Sequence, residues 1–307
     1  MTAPRSAQIR IGVSGWRYPP WRGHFYPEKL RQADELAYLS RAFPVSEING
    51  TFYSLQRPES FMNWADATPP GFVFTVKAPR YITHIRRLKD IDGAVANFYA
   101  SGLLALGDKL GPILWQFPPS LPFDPTRFEP FLAALPRSTG AALRLARRHE
   151  PRMEGRVHLK AGADRPMRHA VEVRHESFMT PDFLGLLREH DVAAVLSDTP
   201  NPWPRFFDVT SDFLYLRLHG TTELYQSRYT AGALQAWADR IAAYASGGAA
   251  PAHERLLPAA PKRTGRDVFC FFDNTDKLHA PDNAGQLIQL LGVAPVYEDG
   301  EPVGWPA

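Results

Sequence analysis

Charged and hydrogen-bonding residues recur at the C-terminal ends of short apolar runs along the chain. Ile9–Val13 leads into Ser14 and Trp16. Val45–Ile48 holds Glu47 and leads into Asn49. Phe72–Val76 ends at Lys77, and Ile113–Trp115 at Gln116. Ala170–Val173 holds Glu172 and leads into Arg174 and His175. Val192–Leu196 ends at Ser197 and Asp198, Phe213–Leu218 holds Arg217 and ends at His219, and Val268–Phe272 ends at Asp273 and Asn274. Glu172, His219 and Asp198 are the residue types that move protons at an active site, and they are the candidate catalytic groups. Lys77, Arg174 and Arg217 suit an anion, the arginines by bidentate contact. Ser14, Glu47, Asn49, Thr51, Gln116 and Asn274 add polar contacts for a substrate. His84 and His175 complete that set, and Trp16, Tyr53, Tyr225 and Tyr229 offer flat surfaces. Charges of both signs are costly to bury unless paired or used. The same residues could therefore form a structural network, with Glu172–Arg174–Arg217 as its core.

The elements that must position these groups follow from the spacing. Eight strand-like runs with chemistry at their C-terminal ends describe a single (β/α)8 TIM-like barrel spanning residues 1–307, whose active face is built from those ends. Helix signals fall between the runs. Asp34 begins one segment. Asp124-Pro125 and Thr180-Pro181 each combine an N-cap with proline at the first helical position, Thr230 caps another helix, and Pro281 opens the last. Residues 58–67 and 92–106 are weaker helix candidates. Strand then helix, repeated, means parallel strands with crossover helices. One unit breaks the pattern: alternating prolines over Thr199–Phe206 forbid a regular helix, so an irregular sixth unit with a loop there is expected.

Net charge is +3, too small to imply nucleic acid by itself, but its distribution is uneven. Residues 141–168 hold eight Arg/Lys against three acids, a local net of +5. This basic insertion before the fifth strand is either a solvated, flexible segment or an arm that meets phosphates. Its place in the chain puts it on the face opposite the active site, unless it folds over the rim. The chain has no apolar run long enough for a membrane span. Its first residues lack the apolar stretch of a signal peptide, so a cytoplasmic protein is expected. The lone Cys270 excludes an internal disulfide and reads as a buried, unreactive thiol.

Motifs narrow the chemistry mainly by exclusion. No Gly-x-Gly-x-x-Gly, Walker-type or Gly-x-Ser-x-Gly pattern is present. His84, His175, His219, Glu47, Glu172 and Asp198 would suffice for a nitrogen–oxygen metal site, but no short ligand spacing supports one, and no metal is assigned. Nothing in the sequence names a cofactor or an oligomeric state. Several segments together carry a resemblance: Ile11-Gly-Val-Ser-Gly-Trp16, Trp21-Arg-Gly23 with Phe25-Tyr-Pro27, Glu47-Ile-Asn-Gly-Thr-Phe-Tyr53, and Phe74-Thr-Val-Lys-Ala-Pro79 with Ile82-Thr-His84. Leu106-Gly-Asp-Lys-Leu-Gly111, Gln116-Phe-Pro-Pro119, Val171-Glu-Val-Arg-His175, Tyr215-Leu-Arg-Leu-His-Gly220 and His279-Ala-Pro281 follow in order. The chain resembles the YecE-like family, the domain of unknown function numbered seventy-two, over nearly its whole length.

The resemblance implies a TIM-like barrel without an established activity, and it carries no catalytic assignment. It suggests that the strand-end residues form a common site. Gly50 departs from the serine expected there, as does Phe272-Asp-Asn-Thr-Asp276 from an Asn-Asn-Asp run. Three functions follow: an enzyme, a hydrolase or an isomerase, acting on a small anionic or phosphorylated substrate at the barrel mouth; a nucleic-acid-binding protein or metal-dependent nuclease; and a non-catalytic small-molecule-binding barrel, with Trp16, Tyr53 and Tyr225 lining its pocket.

Overall fold

The computed structural model describes residues 7–220, 228–274, 278–298 and 301–306. Tyr225 lies outside the described residues. Eight parallel strands close into a barrel in sequence order: β1 Ile9–Ser14, β2 Val45–Ile48, β3 Val73–Lys77, β4 Leu110–Gln116, β5 His169–Glu172, β6 Ala193–Asp198, β7 Phe213–Leu218 and β8 Asp267–Phe272. Around them run α1 Glu35–Ala42, the single turn α2 Gly50–Tyr53, α3 Pro58–Asp66, α4 Asp92–Ala100, α5 Pro125–Ala134, α6 Thr139–Ala146, α7 Pro181–Glu189, α8 Ala231–Ala245 and α9 Ala280–Leu291. A hairpin of β9 Val296–Glu298 and β10 Glu301–Gly304 follows. The fold is an α/β TIM-like barrel.

Local chemistry explains the helix starts. Asp124, Thr180 and Thr230 each accept a backbone N–H of the first turn, and the first two are followed by proline, whose missing N–H costs nothing there. Between β6 and β7 residues 199–212 form no helix, as the alternating prolines dictate.

Strand alternation divides the core into two clusters. Val45, Leu114, Ala170, Ala193, Val195, Phe213, Tyr215, Phe269 and Phe271 pack together inside the barrel. The intervening residues, such as Ile11, Val13, Ile113 and Trp115, pack outwards against the helices. Gly12 faces the interior, where a Cβ would lie 1.9 Å from the Val45 carbonyl oxygen. Only glycine lets β1 and β2 approach this closely.

The N-terminal end of the barrel is sealed by ion pairs. Arg168 bridges Asp267 at 2.6 Å and Asp212 at 3.1 Å, beside a cavity of about 710 Å³ lined also by Arg10 and Arg165. These groups sit at strand starts, the end of a barrel where polar residues serve stability.

The basic segment differs from a loose arm. Ser138 caps α6, whose Ala142 and Ala146 are buried, and α6 packs back along α4. At the following turn the Glu150 backbone N–H donates to Asn97 Oδ1, and Arg152 lines a cavity of about 430 Å³ with Phe52, Tyr53, Pro79, Tyr81 and Ile82. Those residues follow the C-terminal ends of β2 and β3. The segment thus returns along the outside of the barrel to the rim of the mouth, because its small apolar residues supply a helix face that α4 can bury.

Replacing Gly12 by alanine should force the backbone apart and cost about 1–3 kcal/mol or more. The check is a thermal melt, in which Gly12→Ala falls by several degrees, whereas the same change at Gly285, inside α9 with open space around it, raises the melt because alanine is the better helix former.

Candidate functional site

Strand register decides which side chains share the mouth. Neighbours paired across parallel strands face the same way. Ser14 pairs with Glu47, Glu47 with Thr75, Gln116 with Glu172, and Ser197 with Arg217. The interior at the C-terminal end therefore collects Ser14, Glu47, Lys77, Gln116, Glu172 and Arg217.

Arg217 is the hub. Its side chain is 1% exposed, and all three of its nitrogens face carboxylates. Nε and Nη2 donate to Glu47 at 3.2 and 3.0 Å, Nη1 to Glu172 at 2.7 Å, and Nη2 also to Asp273 at 2.9 Å. Burial disfavours its charge, but Glu172, Glu47 and Asp273 outweigh that and hold its pKa well above the ordinary value. Burial likewise opposes the Glu172 carboxylate, yet Arg217 and Arg174 keep its pKa well below the usual range. Arg174 donates twice to Glu172 Oε1, at 3.2 and 3.0 Å, and its guanidinium lies 3.9 Å over the Trp203 ring. Gln116 donates to the same oxygen at 3.2 Å, and the Tyr215 hydroxyl donates to Glu47 at 2.6 Å.

His219 is fully buried beside this cluster, with Nδ1 3.3 Å from Asp273, Nε2 3.7 Å from Glu172 and its ring edge-on to Trp203. Lys77 stands apart. Its side chain, 8% exposed, makes no ion pair or hydrogen bond among the described residues, and its ammonium lies 4.3 Å over the Phe52 ring. Burial, reinforced by the charge of Arg217, lowers its pKa to about 8. His84, against the edge of the same Phe52 ring, falls to about 4 through burial and the charges of Lys77 and Arg174.

Several sequence candidates stand outside this cluster. Asp198 pairs in register with Leu218, so it points away from the barrel interior, where Arg205, Tyr229 and Trp237 bind it at 2.8, 3.1 and 3.1 Å. Asn274 donates to Asn283 of α9 at 3.0 Å. Trp16 is packed in the outer core against Trp64 and Phe74. His175 caps the turn at Glu176–Phe178 through the Ser177 N–H. Thr51 donates to the Lys77 carbonyl at 2.6 Å and so ties α2 to the end of β3. Asn49 Oδ1 is buried with no partner among the described residues, and Tyr53 is 72% exposed on the rim.

Tyr215, Phe52 and Trp203 join the arrangement without a sequence signal that marked them, and Asp273, which ends its apolar run, joins it in place of Asn274. Counting in twos from Arg217 would have found Tyr215, and counting in twos along Phe269 and Phe271 would have found Asp273. Among the described residues no group of three or more His, Cys, Asp or Glu side chains is arranged to hold a metal. No helix among them is long and apolar enough to cross a membrane.

The family described as "Protein of unknown function DUF72" matches residues 10–303. The chain is 32% identical over 116 residues to the UPF0759 protein YunF of Bacillus subtilis, covering 36% of this chain and 40% of that protein. It is 30% identical over 130 residues to the UPF0759 protein YecE of Escherichia coli, covering 37% and 44% respectively. The matched stretch thus spans less than half the length of either relative. A crystal structure of a DUF72 family protein from Thermotoga maritima superposes with a TM-score of 0.68 at 25% identity, covering 93% of this chain and 99% of that one.

The two mouth cations should respond oppositely to removal. Arg217→Ala leaves buried carboxylates without their partner and should cost about 3–5 kcal/mol. The charged form of Lys77 is disfavoured in the folded protein. Its cost is fully present below about pH 8 and relaxes as pH rises towards the ordinary value of 10.5. Lys77→Met should therefore stabilise the protein at pH 7, by about 1–3 kcal/mol, and this gain should vanish near pH 10.5. Thermal melts of both variants at the two pH values decide this; a destabilised Lys77→Met at pH 7 would contradict the arrangement.

Proposed function

The chain belongs to the DUF72 family, whose description assigns no activity, and we propose that its barrel mouth is the active site of an enzyme acting on a small anionic substrate. One observation carries this reading. Among the described residues the other charged groups at the centre of the mouth are engaged: Arg217 holds Glu47, Glu172 and Asp273, and Arg174 holds Glu172. Lys77 is buried at the same end, and among the described residues no carboxylate is in contact with it. An isolated buried cation is costly unless something uses it, and stability is commonly given up at sites kept for function. A substrate carboxylate or phosphate would supply the missing partner.

The roles of the neighbours follow from their electrostatics. Arg217, saturated by carboxylates, fixes the site and leaves the anion to Lys77 and the outward side of Arg174. Glu172, held ionised by two arginines, stabilises positive charge and is a poor proton donor. Proton transfer falls to His219, between Asp273 and Glu172. Asn49 Oδ1 is an acceptor available to a substrate hydroxyl.

A second reading is favoured by the basic segment, whose Arg147, Arg148, Arg152 and Arg156 are all exposed around the turn that reaches the rim. These residues suit a single-stranded nucleic-acid backbone. Changing Arg147, Arg148 and Arg152 to Ser should then reduce the log–log salt slope of single-stranded DNA binding by about 2. No binding by the wild type at low salt would remove this reading.

The main reading is tested by ligand-dependent melting. A panel of small phosphates and carboxylates should include compounds that raise the melting temperature, with a gain of about 2.7 kcal/mol at a hundredfold excess over Kd. Lys77→Met should lose that gain while remaining folded. A shift that persists undiminished in Lys77→Met would place the anion elsewhere.

A further inference from the structure

We propose that Lys77 is a nucleophile whose Nζ forms an imine with a small anionic aldehyde or ketone. This rests on the reading of the mouth as the site of an anionic substrate, and it adds the carbonyl group to the substrate's chemistry. In the step, the nitrogen lone pair forms the C–N bond and the carbonyl electron pair moves to oxygen. That oxygen leaves as water with the two amine protons as C=N forms. No oxidant, reductant or further reactant is required.

Three features of the geometry favour it. First, a nucleophilic amine must be neutral, and among the described residues Lys77 lacks the contacts that hold lysines charged. Glu47, Glu172 and Asp273 are turned to Arg217, and Lys77 Nζ faces the ring of Phe52. Desolvation in an apolar pocket beside another cation is a recognised way to activate a lysine. With a pKa of about 8, roughly a quarter of Lys77 is neutral at pH 7.5, against roughly a thousandth of an exposed lysine.

Second, the backbone that carries Lys77 is fixed. The Thr51 hydroxyl donates to its carbonyl at 2.6 Å, and the Ala78 N–H donates to the Leu114 carbonyl at 2.8 Å. The main chain from which the amine projects towards the Phe52 ring is thereby fixed.

Third, the surrounding charges suit the product. With Lys77 neutral, three carboxylates face two arginines, and this excess of negative charge favours an imine that takes up a proton from solvent. Its delocalised charge is less strongly hydrated than an ammonium and costs less to bury.

The test is reductive trapping on the wild-type protein with cyanoborohydride and one of three probes: pyruvate, dihydroxyacetone phosphate, or neutral acetone. Peptide mass spectrometry then reads each lysine. At pH 7.5 at least one anionic probe should label Lys77 more than about tenfold faster than the exposed Lys29. The rate should rise with pH and level off above about pH 8. Among the described residues, Arg217, Glu47, Glu172 and Asp273 act on Lys77, His84 feels its charge, and Arg174 and His219 lie beside Glu172. The levelling is assigned to Lys77 if His84→Gln leaves its midpoint in place. Lys77 left no faster than Lys29 with all three probes would overturn the proposal. If phosphates still stabilise the protein in that case, the anion site survives and the nucleophile alone is lost. If acetone labels Lys77 as fast as the anionic probes, the nucleophile stands and the anionic substrate falls.

Discussion

The buried guanidinium of Arg217 sets the terms for everything around it. A guanidinium taken out of water must be repaid by several acceptors held close, and here they come from two strands and the end of a third. Glu47 is on β2, Glu172 on β5, and Asp273 immediately follows β8. The barrel is what brings these segments within reach of one side chain on β7. In return, the network cross-links the barrel at the end that loops alone would otherwise hold. It also fixes the protonation of its members. Glu172 stays ionised, Tyr215 keeps its proton because burial and Glu47 disfavour the phenolate, and no carboxylate among the described residues pairs with Lys77.

The two ends of the barrel use the same chemistry to different effect. Arg168 at the N-terminal end pairs with Asp212 and Asp267, but these side chains are 30%, 32% and 11% exposed. Water shares the load there, and exposed pairs contribute little. At the C-terminal end the Arg217–Glu47–Glu172 side chains are 1% exposed or less, so the geometry must be nearly complete. One buried cation in so tight an arrangement, Lys77, makes no ion pair among the described residues, and that departure from structural logic points to chemistry.

The strands were legible because parallel strands covered on both faces read as continuous apolar runs. Polar residues at their ends marked the mouth for the same reason: few other places in a barrel tolerate them. Legibility failed at the scale of one residue. Ser197 and Asp198, or Asp273 and Asn274, differ only in which way they face, and that depends on a register no single strand reveals. Asp198 therefore reads as a mouth residue although it serves Tyr229 and Trp237, and the choice between Asp273 and Asn274 as the group that faces Arg217 is not visible in the run that precedes them. Trp16 was misplaced because a tryptophan beside a strand end is equally at home in the outer core, where Trp64 and Phe74 meet it. In the basic segment, charge drew attention from Ala142 and Ala146, the small residues that let α6 pack on α4.

The measurement closest to the centre of this picture is the titration of Lys77 itself. Carbon-13 NMR of protein labelled at lysine Cε, assigned by comparison with Lys77→Arg, follows each amine separately. With its carboxylates committed to Arg217, Lys77 should titrate with a midpoint near 8. A midpoint at or above the ordinary lysine value of 10.5 would mean that a carboxylate does hold it, and that the amine is another member of the structural network.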